Sequence, residues 1–167
     1  LSKSLHREGL LLDKTIFEVE ISNSGPKSYE TATVMKMPAS FAEFSDALQK
    51  ARIKDGSFCK NELTCIHYNG LTHAMIGWNA NLYDLNLFAQ RLASLTEEQK
   101  KGMDALLKIK QNHRVAPIPL NQLINLTYNT DICCFAPRVS NHEELGAFLY
   151  ANEMLSNEAM ALLDTTE

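Results

Sequence analysis

The chain has 167 residues, of which 45% are hydrophobic and 22% are charged, and its formal net charge is −4. These values are typical of globular proteins and exclude a disordered or transmembrane chain, because no apolar run approaches the roughly 20 residues of a bilayer-spanning helix. Basic residues are not clustered as phosphate binding requires, which argues against direct binding of nucleic acid.

The N-terminal part of the chain predicts two strands that pair as a hairpin. Residues 1–13 are expected to form a poorly ordered lead-in. Apolar and charged residues alternate over Thr15–Ile21, which indicates a half-buried strand. A turn-rich segment then leads to Tyr29–Met37, whose β-branched and aromatic residues predict a second strand.

A helix and a third strand are predicted next. Ser40 and Glu43 have the spacing of a capping box, so a helix is expected over Phe41–Ile53. The apolar face of this helix is predicted to consist of Phe41, Phe44, Leu48 and Ala51. The third strand is expected over Glu62–Tyr68. Its residues that share one face are Leu63, Cys65 and His67.

The middle of the chain predicts two consecutive amphipathic helices. Residues 69–80 are expected to form a loop. A continuous apolar stripe predicts a helix over Asn81–Leu95. Thr96 and Gln99 form a second capping box, which begins a helix over Glu97–Gln111. Because the connection between these two helices is so short, they are predicted to form an αα-hairpin with a very tight turn.

The C-terminal part predicts a short helix, a strand and a further helix. Pro119 suits the first turn of a helix that extends through Leu126. The short apolar run Asp131–Phe135 is predicted to be a strand. Ser140 and Glu143 form a third capping box at the start of another helix. The residues of that helix expected to be buried are Leu145, Phe148 and Leu149.

These elements predict an α+β fold, with a small, mainly antiparallel sheet and a packed helix, then an αα-hairpin and a C-terminal α/β segment. The chain is expected to be elongated, with several small subdomains. Their predicted boundaries are a lead-in over residues 1–13, a β-β-α-β subdomain over 14–69, a helical hairpin over 70–118 and an α/β subdomain over 119–167.

Motif searching identifies no catalytic signature in the chain. The sequence lacks a Gly-rich phosphate loop, a dinucleotide-binding fingerprint, a zinc-protease helix and a nucleophile elbow. We therefore expect neither enzymatic activity nor a cofactor. The first residues do not resemble a signal peptide, so a cytoplasmic location is expected.

The four cysteines are expected to be free thiols in a reducing cytoplasm. A metal site is the alternative, and its candidate ligands are Cys59, Cys65, His67 and His73. Zinc sites pair cysteines that are separated by about two to four residues. Five residues separate Cys59 from Cys65, which favours buried thiols and ordinary histidines. A Cys/His metal-dependent enzyme stays open as a further alternative.

Acidic residues are concentrated at the C-terminal end, where the sequence from Val139 onward has six acids and no Lys or Arg. The six are Glu143, Glu144, Glu153, Glu158, Asp164 and Glu167. They form either a solvated helical face or an acidic surface that binds a protein partner with a basic groove.

Several segments of the chain resemble the ArdA antirestriction family, which mobile elements encode. Glu62–Tyr68 is similar to a strand of the family. The other segments are Met35–Pro38 (MKMP), Phe41–Phe44 (FAEF), Tyr83–Asn86 (YDLN), Leu95–Glu98 (LTEE), Leu120–Thr130 and Val139–Gly146. The first two resemble the end of a family strand and the start of the helix after it. The next two resemble its helical pair, and the last two resemble ArdA-like proteins of Gram-positive bacteria.

This resemblance implies an elongated α+β protein that dimerises and carries no catalytic site. It also implies imitation of the charge and curvature of duplex DNA, so that the protein occupies the DNA site of a type I restriction–modification enzyme. The six acidic residues after Val139 are the candidate partner-binding surface. A protein-interaction module that keeps this scaffold without DNA mimicry is the alternative function.

Overall fold

The computed structural model describes residues 14–25, 28–56, 59–77, 79–111, 117–133, 139–152 and 154–156. The chain divides into two compact units, residues 1–133 and residues 134–167. The first unit contains a sheet and most of the described helices, and the second contains one described helix. These elements form an α+β fold, as the sequence predicts. The predicted lead-in over residues 1–13 lies outside the described residues.

Three antiparallel strands form the sheet of the first unit. They are β1 (Phe17–Ser22), β2 (Thr33–Met37) and β3 (Lys60–Ile66). The order is β2-β1-β3, so the predicted hairpin and third strand are confirmed. The start of the predicted second strand, residues 29–31, instead belongs to a turn of 3-10 helix (Ser28–Thr31), in which the Thr31 hydroxyl donates to the Ser28 carbonyl oxygen at 3.1 Å. Such local side-chain bonds compete with strand pairing.

The first helix, α1 (Phe41–Lys50), begins at the predicted capping box. The Ser40 hydroxyl accepts from the Glu43 amide at 3.3 Å, and the Glu43 carboxylate accepts from the Ser40 amide at 2.8 Å. These bonds to Ser40 lower the pKa of Glu43. The predicted apolar face is wrong at Phe41, which is 90% exposed, because the buried face is formed by Phe44, Ala47 and Ala51.

The helix α3 (Leu82–Ser94) supplies much of the core of the first unit. The Asn81 side-chain oxygen caps it by accepting from the amides of Tyr83 at 2.9 Å and Asp84 at 3.3 Å. The predicted bounds are therefore confirmed. Its fully buried residues are Leu82, Leu85, Phe88, Ala89 and Leu92. Phe88 meets Phe17 of β1 with ring centroids 5.9 Å apart, which joins the helix to the sheet.

Two further helices flank α3 in the sequence. The predicted loop over residues 69–80 contains a short helix, α2 (His73–Ile76), because Met75 and Ile76 are buried in the core. After α3, Thr96 and Gln99 form the predicted capping box, with the Gln99 amide donating to the Thr96 hydroxyl at 3.2 Å. That box begins α4 (Glu97–Gln111), which confirms the pair of consecutive helices joined by a tight turn. α4 has 15 residues and is the longest helix among the described residues, too short for the roughly 20 that span a bilayer.

The helix α5 (Leu120–Leu126) and a turn of 3-10 helix (Thr130–Ile132) complete the described part of the first unit. The prediction of the short helix is confirmed. The predicted strand over Asp131–Phe135 is wrong at residues 131 and 132, and residues 134 and 135 lie outside the described residues. The turn forms because Thr130 is buried against α4, where it lies beside Gly102.

The described part of the second unit contains α6 (His142–Ala151). Its N-cap is Asn141, whose side-chain oxygen accepts from the Glu144 amide at 2.8 Å, and not Ser140 as predicted. Asn and Ser cap about equally well, and both pairs have the capping-box spacing, so the sequence does not distinguish them. No residue of α6 is buried, which contradicts the prediction for its three apolar residues; Leu145 is 39% exposed.

Candidate functional site

The outer face of the sheet brings together two of the predicted metal ligands and a glutamate. The Cys65 Sγ lies 3.9 Å from the His67 Nδ1, and the His67 Nε2 lies 3.6 Å from the Glu18 Oε1. All three side chains reach solvent to some degree. Glu18 was not predicted from the sequence as part of this grouping, because it lies on β1 and not next to the other two in the chain.

A β-bulge produces this grouping. Glu18 pairs with Cys65 and Val19 pairs with Leu63, so Thr64 is an extra residue in β3. The Thr64 hydroxyl donates to the Glu18 carbonyl oxygen at 3.0 Å. An extra residue reverses the alternation of side chains after it. The prediction that Leu63, Cys65 and His67 share one face is therefore wrong, since only Leu63 faces the core.

The other two predicted metal ligands lie elsewhere. Cys59 is buried, and its thiol donates to the Gly56 carbonyl oxygen at 3.7 Å. Burial raises the pKa of the Cys59 thiol. His73 lines a separate cavity of about 300 Å³ between α2 and β3. Within the described ranges, no three His, Cys, Asp or Glu side chains are grouped closely enough to hold a metal ion.

Charges of both signs alternate on the outer face of the sheet. Glu18 lies opposite Lys36 of β2, and Glu20 lies opposite Glu62 of β3. Ser22 lies opposite Lys60 at the end of β1. This face therefore presents carboxylates interspersed with lysines, and not the continuous row of negative charge that duplex DNA presents.

The structure describes two of the six predicted acidic residues of the C-terminal end. Glu143 and Glu144 are both exposed in the first turn of α6. The Glu144 carboxylate accepts from the Ser140 amide at 2.7 Å and from its hydroxyl at 2.8 Å, and these bonds lower the pKa of Glu144. Negative charge at this helix end is favoured by the helix dipole. Glu153, Glu158, Asp164 and Glu167 lie outside the described residues.

An exposed apolar groove runs between α1 and α3. Its volume is about 420 Å³. The residues that line it are Ala39, Phe41, Phe44, Ser45, Leu48, Tyr83, Asn86 and Gln90. The Phe44 and Tyr83 rings stack with centroids 5.1 Å apart, and Tyr83 remains 48% exposed. The groove was not predicted from the sequence, because Phe41, which is exposed beside it, was assigned to the buried face of α1.

Asn86 fixes the joint between β2 and α1. Its side-chain oxygen accepts from the Ala39 amide at 2.8 Å, and its Nδ2 donates to the Ala39 carbonyl oxygen at 3.1 Å. One amide group thus satisfies both backbone groups of the residue that precedes the Ser40 cap. Because Asn86 lies on α3, these bonds also hold that helix against the start of α1.

Replacing Asn86 by alanine should destabilise the protein by about 1–3 kcal/mol, because it removes two hydrogen bonds and leaves backbone groups of Ala39 without partners. Asn86→Asp keeps the size of the side chain but removes the donor, so it should also destabilise. The control is Gln90→Ala, at an exposed position one turn further along α3, which should change stability by less than about 0.5 kcal/mol. Urea unfolding measures all three, and equal effects of Asn86→Ala and Gln90→Ala would contradict this role.

Two of the segments on which the expected ArdA resemblance rests meet at this joint. Phe44 of the FAEF segment stacks on Tyr83 of the YDLN segment, and Asn86 of the latter binds the residue before Ser40. These residues supply packing and backbone hydrogen bonds at the joint. Comparison of the chain with protein-family models, with curated proteins and with solved structures found no match.

Proposed function

We propose that the protein is a non-catalytic, ArdA-like antirestriction protein of a mobile element. It binds a type I restriction–modification enzyme in the cytoplasm through an acidic surface of its second unit. The observation that carries this proposal is the charge of the chain after Val139, where six acids occur without a Lys or Arg. A surface of one sign is what a DNA-binding groove attracts.

The second unit is a better candidate for this surface than the sheet of the first unit. On the outer face of the sheet, Lys36 lies opposite Glu18, and Lys60 lies two residues from Glu62 on β3. Neighbouring lysines offset the field of these carboxylates. In the second unit, Glu143 is exposed and Glu144 is held ionised by its cap bonds, with no basic residue in the sequence that follows.

Two of the segments on which the ArdA resemblance rests lie together at the α1–α3 joint. The FAEF and YDLN segments are about 40 residues apart in the sequence, yet their aromatic rings and the Asn86 amide meet at one place. The contact places both segments in the scaffold of the first unit.

The mechanism that we propose is competition for a site. Carboxylates take the place of DNA phosphates before the lysines and arginines of the enzyme, and no bond is made or broken. The net charge of −4 is small for a protein that would imitate a long duplex. Mimicry is therefore confined to one surface, and a homodimer would present that surface twice.

Inhibition of a purified type I restriction–modification enzyme tests the proposal. The protein should inhibit ATP-dependent DNA cleavage at micromolar concentration, and the inhibition should weaken as salt increases. The triple variant Glu143→Gln, Glu153→Gln, Glu158→Gln should inhibit about tenfold less, since three screened contacts at about 0.5 kcal/mol each amount to that factor. Glu144 is kept unchanged because its carboxylate caps α6.

The matched control changes three carboxylates of the first unit: Glu20→Gln, Glu62→Gln, Glu98→Gln. All three positions are exposed, and the change in net charge is the same as in the test variant. The control should inhibit as the parent protein does. Equal loss in both triple variants would mean that net charge alone matters, and absence of inhibition by the folded parent would reject the antirestriction function.

The apolar groove between α1 and α3 favours a second candidate function, a protein-interaction module without DNA mimicry. Phe41 is 90% exposed beside the partly exposed Tyr83. Exposed aromatic side chains of this kind are frequent in protein-binding surfaces. Phe41→Ser would abolish partner binding under this alternative. Under the antirestriction proposal it would leave inhibition of the restriction enzyme unchanged.

A further inference from the structure

The outer face of the sheet has a grouping of side chains that the proposed function does not use. The Cys65 thiol lies 3.9 Å from the His67 imidazole, and the other side of that imidazole lies 3.6 Å from the Glu18 carboxylate. This order of groups is the one by which a base accepts a thiol proton while a third group orients the base. The chemistry of this grouping is independent of antirestriction.

The bulge at Thr64 is the reason that the thiol is accessible. Without the extra residue, strict alternation would place Cys65 on the same face as Leu63, which is buried against the core. With it, Cys65 lies across from Glu18 on the outer face. Bulges that redirect a side chain in this way are frequent beside functional sites.

The two ring nitrogens of His67 face different partners. The Nε2 faces the Glu18 carboxylate, which favours the tautomer with its proton on Nε2. The Nδ1 is then free to accept, and it is the nitrogen that faces the Cys65 thiol. Lys36, opposite Glu18 on β2, is the nearest basic side chain in the strand register. Glu20 and Glu62 form the next row.

We propose that Cys65 is a modification site at which the protein forms a mixed disulfide with a low-molecular-weight disulfide of the glutathione type. His67 accepts the proton of the Cys65 thiol, and the thiolate attacks one sulfur of the disulfide. A new S–S bond forms as the original S–S bond breaks. The departing thiolate takes the proton from His67, so Cys65 is oxidised, the disulfide is reduced, and no other reactant is needed.

The other described cysteines provide internal comparisons. Cys59 is buried, and burial raises the pKa of its thiol, so it has little thiolate and little access. Cys133 is partly buried, and its thiol donates to the Gly102 carbonyl oxygen at 3.5 Å, which holds the proton away from any base. Of these three thiols, only Cys65 contacts an imidazole nitrogen among the described residues.

Reaction with glutathione disulfide tests the proposal directly. The folded, fully reduced protein is incubated with millimolar glutathione disulfide, and the adduct at each cysteine is followed in time by peptide mass spectrometry. Cys65 should acquire glutathione before Cys59 and Cys133 do. A Cys65 rate that is no greater than that of Cys133 would overturn the proposal without any variant.

Variants then separate the roles of the neighbours. His67→Asn keeps a polar side chain but cannot accept a proton, and it should slow the reaction at Cys65 roughly tenfold, less than a closely bonded general base contributes, because the contact is long. Glu18→Gln removes the positioning carboxylate and should slow the same step to a smaller extent. His73→Asn, in α2, is the control and should leave the Cys65 rate unchanged.

The rates at Cys59 and Cys133 in the same samples report on folding. A positioning role predicts that Glu18→Gln slows Cys65 alone, whereas local unfolding would accelerate Cys59. If His67→Asn leaves the Cys65 rate unchanged while Cys59 stays protected, the imidazole has no role and the proposal fails. If that variant exposes Cys59, the Glu18→Gln variant and the ranking of thiols in the parent protein still decide the result.

Discussion

Replacing Gly102 by alanine is expected to destabilise the first unit by about 3 kcal/mol. A Cβ atom at this position would overlap the Thr130 carbonyl oxygen and lie 3.2 Å from its carbonyl carbon. Both are backbone atoms, so they cannot move away by rotation of a side chain. The change from glycine to alanine in a helix usually stabilises by about 0.5–1 kcal/mol. Here the overlap outweighs that gain, because α4 and the 3-10 turn must separate to relieve it.

The control for this prediction is Gly146→Ala in α6. A Cβ at Gly146 meets no atom within 4 Å, so the gain in helix propensity should appear alone, as about 0.5–1 kcal/mol of stabilisation. Chemical unfolding followed by circular dichroism measures both variants. Equal stability of Gly102→Ala and the parent protein would show that Thr130 does not lie against α4 in solution.

The largest loss of stability is expected from Phe88→Ala, at about 3–5 kcal/mol. Phe88 is fully buried, and its ring meets that of Phe17 at a centroid distance of 5.9 Å. Removing the ring opens a cavity between α3 and β1. Because β1 is hydrogen-bonded to strands on both sides, its backbone cannot move to close that cavity. The expected cost is comparable to the whole stability of a small domain, so the variant should be largely unfolded near 37 °C.

Leu87→Ala serves as the control for Phe88→Ala. Leu87 is the preceding residue of the same helix and is 43% exposed, so its truncation should cost less than about 1 kcal/mol. Thermal unfolding separates the two results. A similar cost at both positions would mean that α3 does not present the predicted face to the sheet.

Local signals in the sequence predicted most of the first unit. The capping residues Ser40, Asn81 and Thr96 each stand at the observed start of a helix. Alternation in β1 predicted its buried face correctly, since Phe17, Val19 and Ile21 are all fully buried. These features depend on bonds and periodicities within a few residues, which the order of residues determines by itself.

The sequence could not predict features that depend on distant segments. The bulge at Thr64 arises from pairing with β1, and no residue type near Thr64 indicates it. It decides whether Cys65 faces the core or solvent, so the grouping with Glu18 was not visible in the sequence. Thr130–Ile132 likewise forms a turn because Gly102 allows α4 to approach it, although the apolar run alone favours a strand.

The residue at which α6 begins could not be predicted from the sequence, because two adjacent residues are equally suitable as the N-cap. Ser140 with Glu143 and Asn141 with Glu144 both have the spacing of a capping box. The structure uses Asn141 as the cap and engages Glu144 instead of Glu143. Both carboxylates are exposed, and of the two it is Glu144 that accepts the cap bonds from Ser140.

We propose that acidic side chains of this protein compete with DNA for one groove of a restriction–modification enzyme. Displacement of a fluorescent duplex from a type I methyltransferase core, followed by anisotropy as the protein is added, tests it most directly. Competition for the groove predicts complete, salt-sensitive displacement of the duplex by the parent protein. Displacement should be about tenfold weaker for the triple variant at Glu143, Glu153 and Glu158. Duplex that stays bound at saturating folded protein, or equal displacement by parent and variant, would contradict it.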